Sequence, residues 1–110
     1  MPQFLIAVLA VVLFATSGCG PVKPMTGSEF KGFCYQYTDG RQTGCSDIIA
    51  VCDEYTPVLG QRQSSLDACL RECQDIHAPQ ASRYFGTDCE GGSEFAFDWC
   101  QRYCRRAYPK

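Results

Sequence analysis

Two stretches of this chain share one pattern, apolar-Asp-x-Cys-x-Arg-x-Cys. They are Leu66-Asp67-Ala68-Cys69-Leu70-Arg71-Glu72-Cys73 and Phe97-Asp98-Trp99-Cys100-Gln101-Arg102-Tyr103-Cys104. A spacing of four places both cysteines of a stretch on one face of a helix. In the first, Leu66, Cys69, Leu70, Cys73 and Ile76 form an apolar stripe. Asp67 and Arg71 sit on the opposite side as an i,i+4 pair, and Asp98 and Arg102 repeat that pair in the second. Ser64 or Ser65 can cap the first helix, and Pro79 is expected to stop it. Residues 78–88 then form a connection, Cys89-Glu90-Gly91-Gly92 a turn, and Ser93 the cap of a last helix from about Glu94 to Ala107. That helix has a wide apolar face of Ala96, Phe97, Trp99, Cys100, Tyr103, Cys104 and Ala107.

Which compartment the chain occupies decides whether these cysteines are thiols or staples. Phe4 to Ala15 is an unbroken apolar run, too short for a mature membrane span of about 20 residues and suited to the core of an export signal. It ends in Ala15-Thr16-Ser17-Gly18-Cys19, which resembles the lipobox of bacterial lipoproteins. Thr16 stands where that family usually has Leu, and no Lys or Arg precedes the apolar run. The resemblance implies a signal peptide over residues 1–18 and lipidation of Cys19, which anchors the protein to the membrane through its acyl chains. It further implies a place in the bacterial envelope, at the outer membrane if the host is Gram-negative. An Ala15-x-Ser17 site also permits ordinary signal cleavage. Cysteine parity bears on the choice: nine cysteines are odd, and assigning Cys19 to lipid leaves eight.

Beyond Cys19, eight of 91 residues are cysteine. That is close to the roughly 8–10 % typical of disulfide scaffolds, and an exported chain meets an oxidising environment. Residues 19–29, with Pro21, Pro24, Gly27 and Ser28, read as a lipidated N-terminus and tether, and residues 30–110 as one disulfide-stapled domain.

The expected fold class is small, disulfide-rich α+β: an N-terminal β-hairpin followed by two or three short helices, two of them cross-linked antiparallel. The hairpin rests on Phe33, Tyr35 and Tyr37 alternating with Cys34 and Gln36 ahead of an Asp39-Gly40 turn. That register sets Cys34 opposite Cys45. Ser46-Asp47 can cap a helix over Ile48, Ile49, Val51 and Cys52, although this β-branched run also fits a third strand. Thr56-Pro57 and Gly60 are expected to end the element.

The disulfide candidates are Cys34, Cys45, Cys52, Cys69, Cys73, Cys89, Cys100 and Cys104, and eight cysteines allow 105 connectivities. If the two Cys-x3-Cys helices pack antiparallel, Cys69 meets Cys104 and Cys73 meets Cys100. This resembles the twin Cys-x3-Cys hairpins of several small disulfide-stabilised families, and it would leave Cys52 for Cys89. Cys45-x6-Cys52-x16-Cys69-x3-Cys73, with Ser65-x3-Cys69-x-Arg71-x-Cys73 as a closing helix, resembles a Kunitz domain. That resemblance implies protease inhibition, yet no upstream cysteine supplies the family's exposed inhibitory loop. A different chemistry is soft-metal binding, of copper or zinc, through Cys69, Cys73 and His77 at i, i+4 and i+8. His77 is the chain's one histidine, and its plainer role is a surface or helix-end residue.

No Cys-x-x-Cys, phosphate loop or nucleophile motif is present. The expectation is therefore no catalysis and no cofactor. A net charge of −2 gives no reason to expect nucleic acid. Tyr35, Tyr37, Tyr84, Phe95, Phe97, Trp99, Tyr103 and Tyr108 either supplement a small core or form a ligand surface. Arg102, Arg105, Arg106 and Lys110 either offset a helix dipole or form a membrane or polyanion patch. The functional expectation is an exported, membrane-anchored lipoprotein with a non-enzymatic protein-interaction or structural role in the envelope, and a protein partner that the sequence does not name.

Overall fold

In the computed structural model, residues 23–38 and 44–109 are described. They form five helices: α1 Gly27–Tyr35, α2 Ile48–Asp53, α3 Thr56–Gly60, α4 Leu66–Arg83 and α5 Glu90–Ala107. No strand occurs among the described residues. The expected α+β class is therefore corrected to an all-helical one.

The N-terminal hairpin fails because a stronger local signal precedes its aromatic alternation. Thr26-Gly27-Ser28-Glu29 is a capping box. The Glu29 amide donates to Thr26 Oγ1 at 3.1 Å, and the Thr26 amide to Glu29 Oε1 at 3.4 Å. A helix begun there carries Phe30 and Cys34, four apart, onto one face, and both are fully buried. Phe33, Tyr35 and Tyr37 mark helix positions and the residues that follow, with no strand face. The Asp39-Gly40 turn lies outside the described residues. Met25 is also buried, so the packed part of the chain begins ahead of Phe30.

The β-branched run at Ile48 is helical, with Val51 and Cys52 buried. Thr56-Pro57 starts α3 instead of ending an element, since proline fits a first turn whose N–H has no intrahelical partner. In α4, Ser65 Oγ accepts from the Ala68 amide at 3.1 Å. The expected stop at Pro79 does not occur, and the helix continues to Arg83. A mid-helix proline costs about 3 kcal/mol, but the turn beyond it is held from outside. Gln80 is fully buried, its Nε2 donating to Val51 O at 3.0 Å and its Oε1 accepting from Ser93 Oγ at 3.3 Å. Arg83 pairs with Glu54.

Helix α5 starts at Glu90, ahead of the expected Ser93 cap. Its glycines answer a packing need instead of a turn. A Cβ on Gly92 would lie 3.1 Å from Cys45 Cβ and 3.2 Å from Cys45 Sγ, and one on Gly91 would collide with the Tyr37 hydroxyl.

Four disulfides tie the helices. Cys69–Cys104 and Cys73–Cys100 join α4 to α5 with Cα separations of 5.6 and 5.9 Å. Cys34–Cys52 joins α1 to α2, and Cys45–Cys89 joins the segment before α2 to the start of α5. The expected Cys34–Cys45 and Cys52–Cys89 pairings are thus replaced by an exchange of partners. A helical α1 turns Cys34 inward onto α2, so no hairpin exists to set it against Cys45. Met25, Phe30, Val51, Tyr55, Val58, Ala96 and Tyr103 complete the core, and all eight half-cystines are buried.

Candidate interaction surface

The helix seam is chemically closed. Cys73 Sγ lies 3.5 Å from Cys104 Sγ, so the two α4–α5 disulfides touch, and the sulfurs of Cys73, Cys100 and Cys104 fall within 4.8 Å of one another. All three sulfurs are bound in disulfides, whereas metal ligation needs thiolates. The expected set of Cys69, Cys73 and His77 is not assembled. Both cysteines are committed to α5, and His77 Nε2 lies 2.7 Å from Glu94 Oε1. The His77 ring stacks on Phe97 at 4.1 Å, making it a link between α4 and α5. The aromatic hairpin of the Kunitz-like reading is not formed, because helix α1 occupies its place. Cys19 lies outside the described residues.

Buried polar groups serve packing. The Tyr55 hydroxyl is buried without a hydrogen-bond partner, and burial, reinforced by the charges of Glu54 and Glu94, raises its pKa far above that of an ordinary phenol. The Tyr35 hydroxyl donates to the Asp53 carboxylate, which raises the Tyr35 pKa, and Lys31 lies 3.7 Å from the same carboxylate. One open depression of about 400 Å³ lies beside Ser65 and Tyr108, at the start of α4 and the end of α5, and another of about 280 Å³ lies between α1 and α3 beside Lys31 and Leu59.

The most organised surface lies where α1 meets α5. Phe33 stacks on Trp99, with ring centroids 4.5 Å apart and planes 5° from parallel. Phe95 meets the edge of Trp99 at 6.2 Å, and Tyr37 packs on Phe95 at 5.2 Å. The Arg102 guanidinium sits 4.9 Å from the Trp99 ring centre, while its Nε holds Asp98 at 2.9 Å. Phe33 is 38 % exposed, and Tyr37, Phe95 and Trp99 are partly so. Around the α5 axis, Phe95, Trp99, Arg102 and Arg106 fall within about 60° of one another at 3.6 residues per turn. Of the aromatics predicted from sequence, Tyr103 turns into the core, whereas Tyr37, Phe95 and Trp99 join this face. Sequence reasoning missed Phe33, which it assigned to a strand. The capping box at Thr26 was the signal that would have placed Phe33 on a helix.

No protein-family model, curated protein or solved structure matches this chain. Four disulfides suggest an oxidising environment reached by export. Among the described residues, no helix is long and apolar enough to cross a membrane.

Proposed function

We propose that this protein is an exported, membrane-anchored lipoprotein that acts by surface contact in the envelope, without turnover. The carrying observation is the cysteine count. The eight cysteines beyond Cys19 are consumed in four disulfides with one another, so none of the described cysteines remains to pair with Cys19. A lipobox-like segment ends on that cysteine, and acylation accounts for it. The disulfides then link α1 to α5 by way of α2 and the segment before it, and the Phe33–Trp99 face is the contact surface.

Intact mass with thiol alkylation tests this reading. The mature protein should carry the mass of a multiply acylated Cys19, accept no alkylating groups before reduction and accept eight after it. Cys19→Ala should release the protein from membranes. Membrane association that persists unchanged would refute anchoring through Cys19.

A further inference from the structure

The Phe33–Trp99 face has a chemistry that neither the sequence pattern nor the disulfide framework requires. It is aromatic at one end and cationic at the other. Along α5, Phe95 and Trp99 lead directly into Arg102 and Arg106 on the same side of the helix. This row is about 16 Å long at 1.5 Å per residue. Arg106 is exposed and makes no ion pair among the described residues. Half-exposed aromatic rings beside arginines suit the boundary of a lipid bilayer. Indole and phenol rings favour the headgroup level, and arginines gain from the negative surface potential of anionic lipids.

The length of chain between anchor and fold adds an independent constraint. Met25 is buried and Thr26 caps α1. Only six residue steps separate Cys19 from Met25, a maximum reach of about 20 Å. Phe33 lies six residues into α1, about 9 Å along the helix. An acylated Cys19 therefore keeps Phe33 within about 30 Å of the lipid surface.

We propose that the Phe33–Trp99 face, with Arg102 and Arg106, docks onto the surface of an anionic bilayer and holds the domain flat against it. The proposal takes its geometry from the lipoprotein reading and names the partner of the face identified there. A protein partner on the same face is the competing outcome.

Trp99 is the chain's one tryptophan, so its fluorescence reports on the face directly. The exported chain carrying Cys19→Ala, with its disulfides intact, is mixed with vesicles of phosphatidylcholine alone or with equal phosphatidylglycerol. Expected at low salt is a blue shift of Trp99 emission with the anionic vesicles only. Lipids brominated near the headgroup should quench it, and added salt should reverse the shift. Arg102→Gln with Arg106→Gln should weaken partitioning on the order of thirtyfold, at about 1 kcal/mol for each arginine near the surface. Arg71→Gln, on the exposed side of α4, should leave partitioning unchanged. Helical circular dichroism equal to that of the parent establishes that each variant is folded.

Trp99 emission unmoved by anionic vesicles at low salt would overturn the proposal. So would shifts that ignore lipid charge, or a folded double-arginine variant that partitions like its parent. Cross-linking of this face to a protein in intact envelopes, with no vesicle binding, would assign it to the protein partner instead. Because the variant carries no acyl chain, vesicle binding reads the face alone. Failure of the lipidation reading appears separately, in the mass of Cys19 and in the cellular release test.

Discussion

Glycines in this chain differ sharply in what surrounds them. Beyond Gly92 lies the Cys45–Cys89 disulfide, with Ile48 Cδ1 a further 3.3 Å contact. A disulfide cannot swing aside as a flexible side chain can. Gly92→Ala should therefore destabilise the protein by about 1–3 kcal/mol, the usual cost of overpacking. Gly32, inside α1, has nothing within 4 Å of its would-be Cβ. Gly32→Ala should stabilise by about 0.5–1 kcal/mol through helix propensity. Denaturant midpoints of the two variants with disulfides intact should move in opposite directions.

Tyr55 makes a second residue-level case. Its buried hydroxyl is unpartnered and its folded pKa is raised. A raised phenol pKa means that the folded state holds the proton more tightly than the unfolded state. The resulting stability is full below the unfolded value of about 10 and is lost as pH climbs from there toward the folded value. Tyr55→Phe should match or exceed the parent in stability at pH 7. It should also flatten the fall in stability above pH 10, read from denaturant midpoints across that range.

At the level of elements, α4 and α5 are joined by nested rungs. Cys73–Cys100 closes a separation of 27 residues inside the 35 closed by Cys69–Cys104. Either rung alone already closes most of the loop. Each disulfide is typically worth about 2–4 kcal/mol, chiefly through loop closure, so the entropic share of the first rung removed should be small. Cys69→Ala with Cys104→Ala, or Cys73→Ala with Cys100→Ala, should each cost less than half the loss from removing both pairs. Guanidinium unfolding of the three variants gives that comparison, and simple additivity would contradict it. The stripe of Leu66, Cys69, Leu70, Cys73 and Ile76 and the Ser65 cap were legible because they lie within one helix. The continuation past Pro79 was not legible. Its support comes from Val51, Ser93 and Glu54, which are distant in sequence.

For the whole molecule, the apolar interior is small and much of it is sulfur. Among the described residues, five apolar side chains other than cysteine, Phe30, Val51, Tyr55, Val58 and Ala96, are fully buried together with most of the half-cystines. Natural domains are stable by only about 5–15 kcal/mol, and four staples at the values above are of that size. Reduction without denaturant at neutral pH should therefore abolish most of the helical circular dichroism at 37 °C. Retention of more than half the signal would mean that packing alone sustains the fold. The contact face also belongs to this scale. Trp99, Arg102 and Arg106 are neighbours on α5 and could be grouped from spacing. Phe33, the ring that stacks on Trp99, comes from α1, over sixty residues earlier.

What the sequence determined by itself were the properties carried by local spacing and composition: eight cysteines beyond Cys19, two helices each with a pair of cysteines on one face, and the cap at Ser65. Even the helical start of α1 was present in Thr26-x-x-Glu29, outweighed in the reading by an aromatic alternation that a helix C-terminus also satisfies. Tertiary structure alone decided that Cys34 bonds Cys52 and Cys45 bonds Cys89, that α4 outlasts its proline, and that Phe33 lies on Trp99. The physical reason is common to all three. Each depends on where separate helices come to rest, and the free energy that places them comes from burial and cross-linking between segments far apart in the chain.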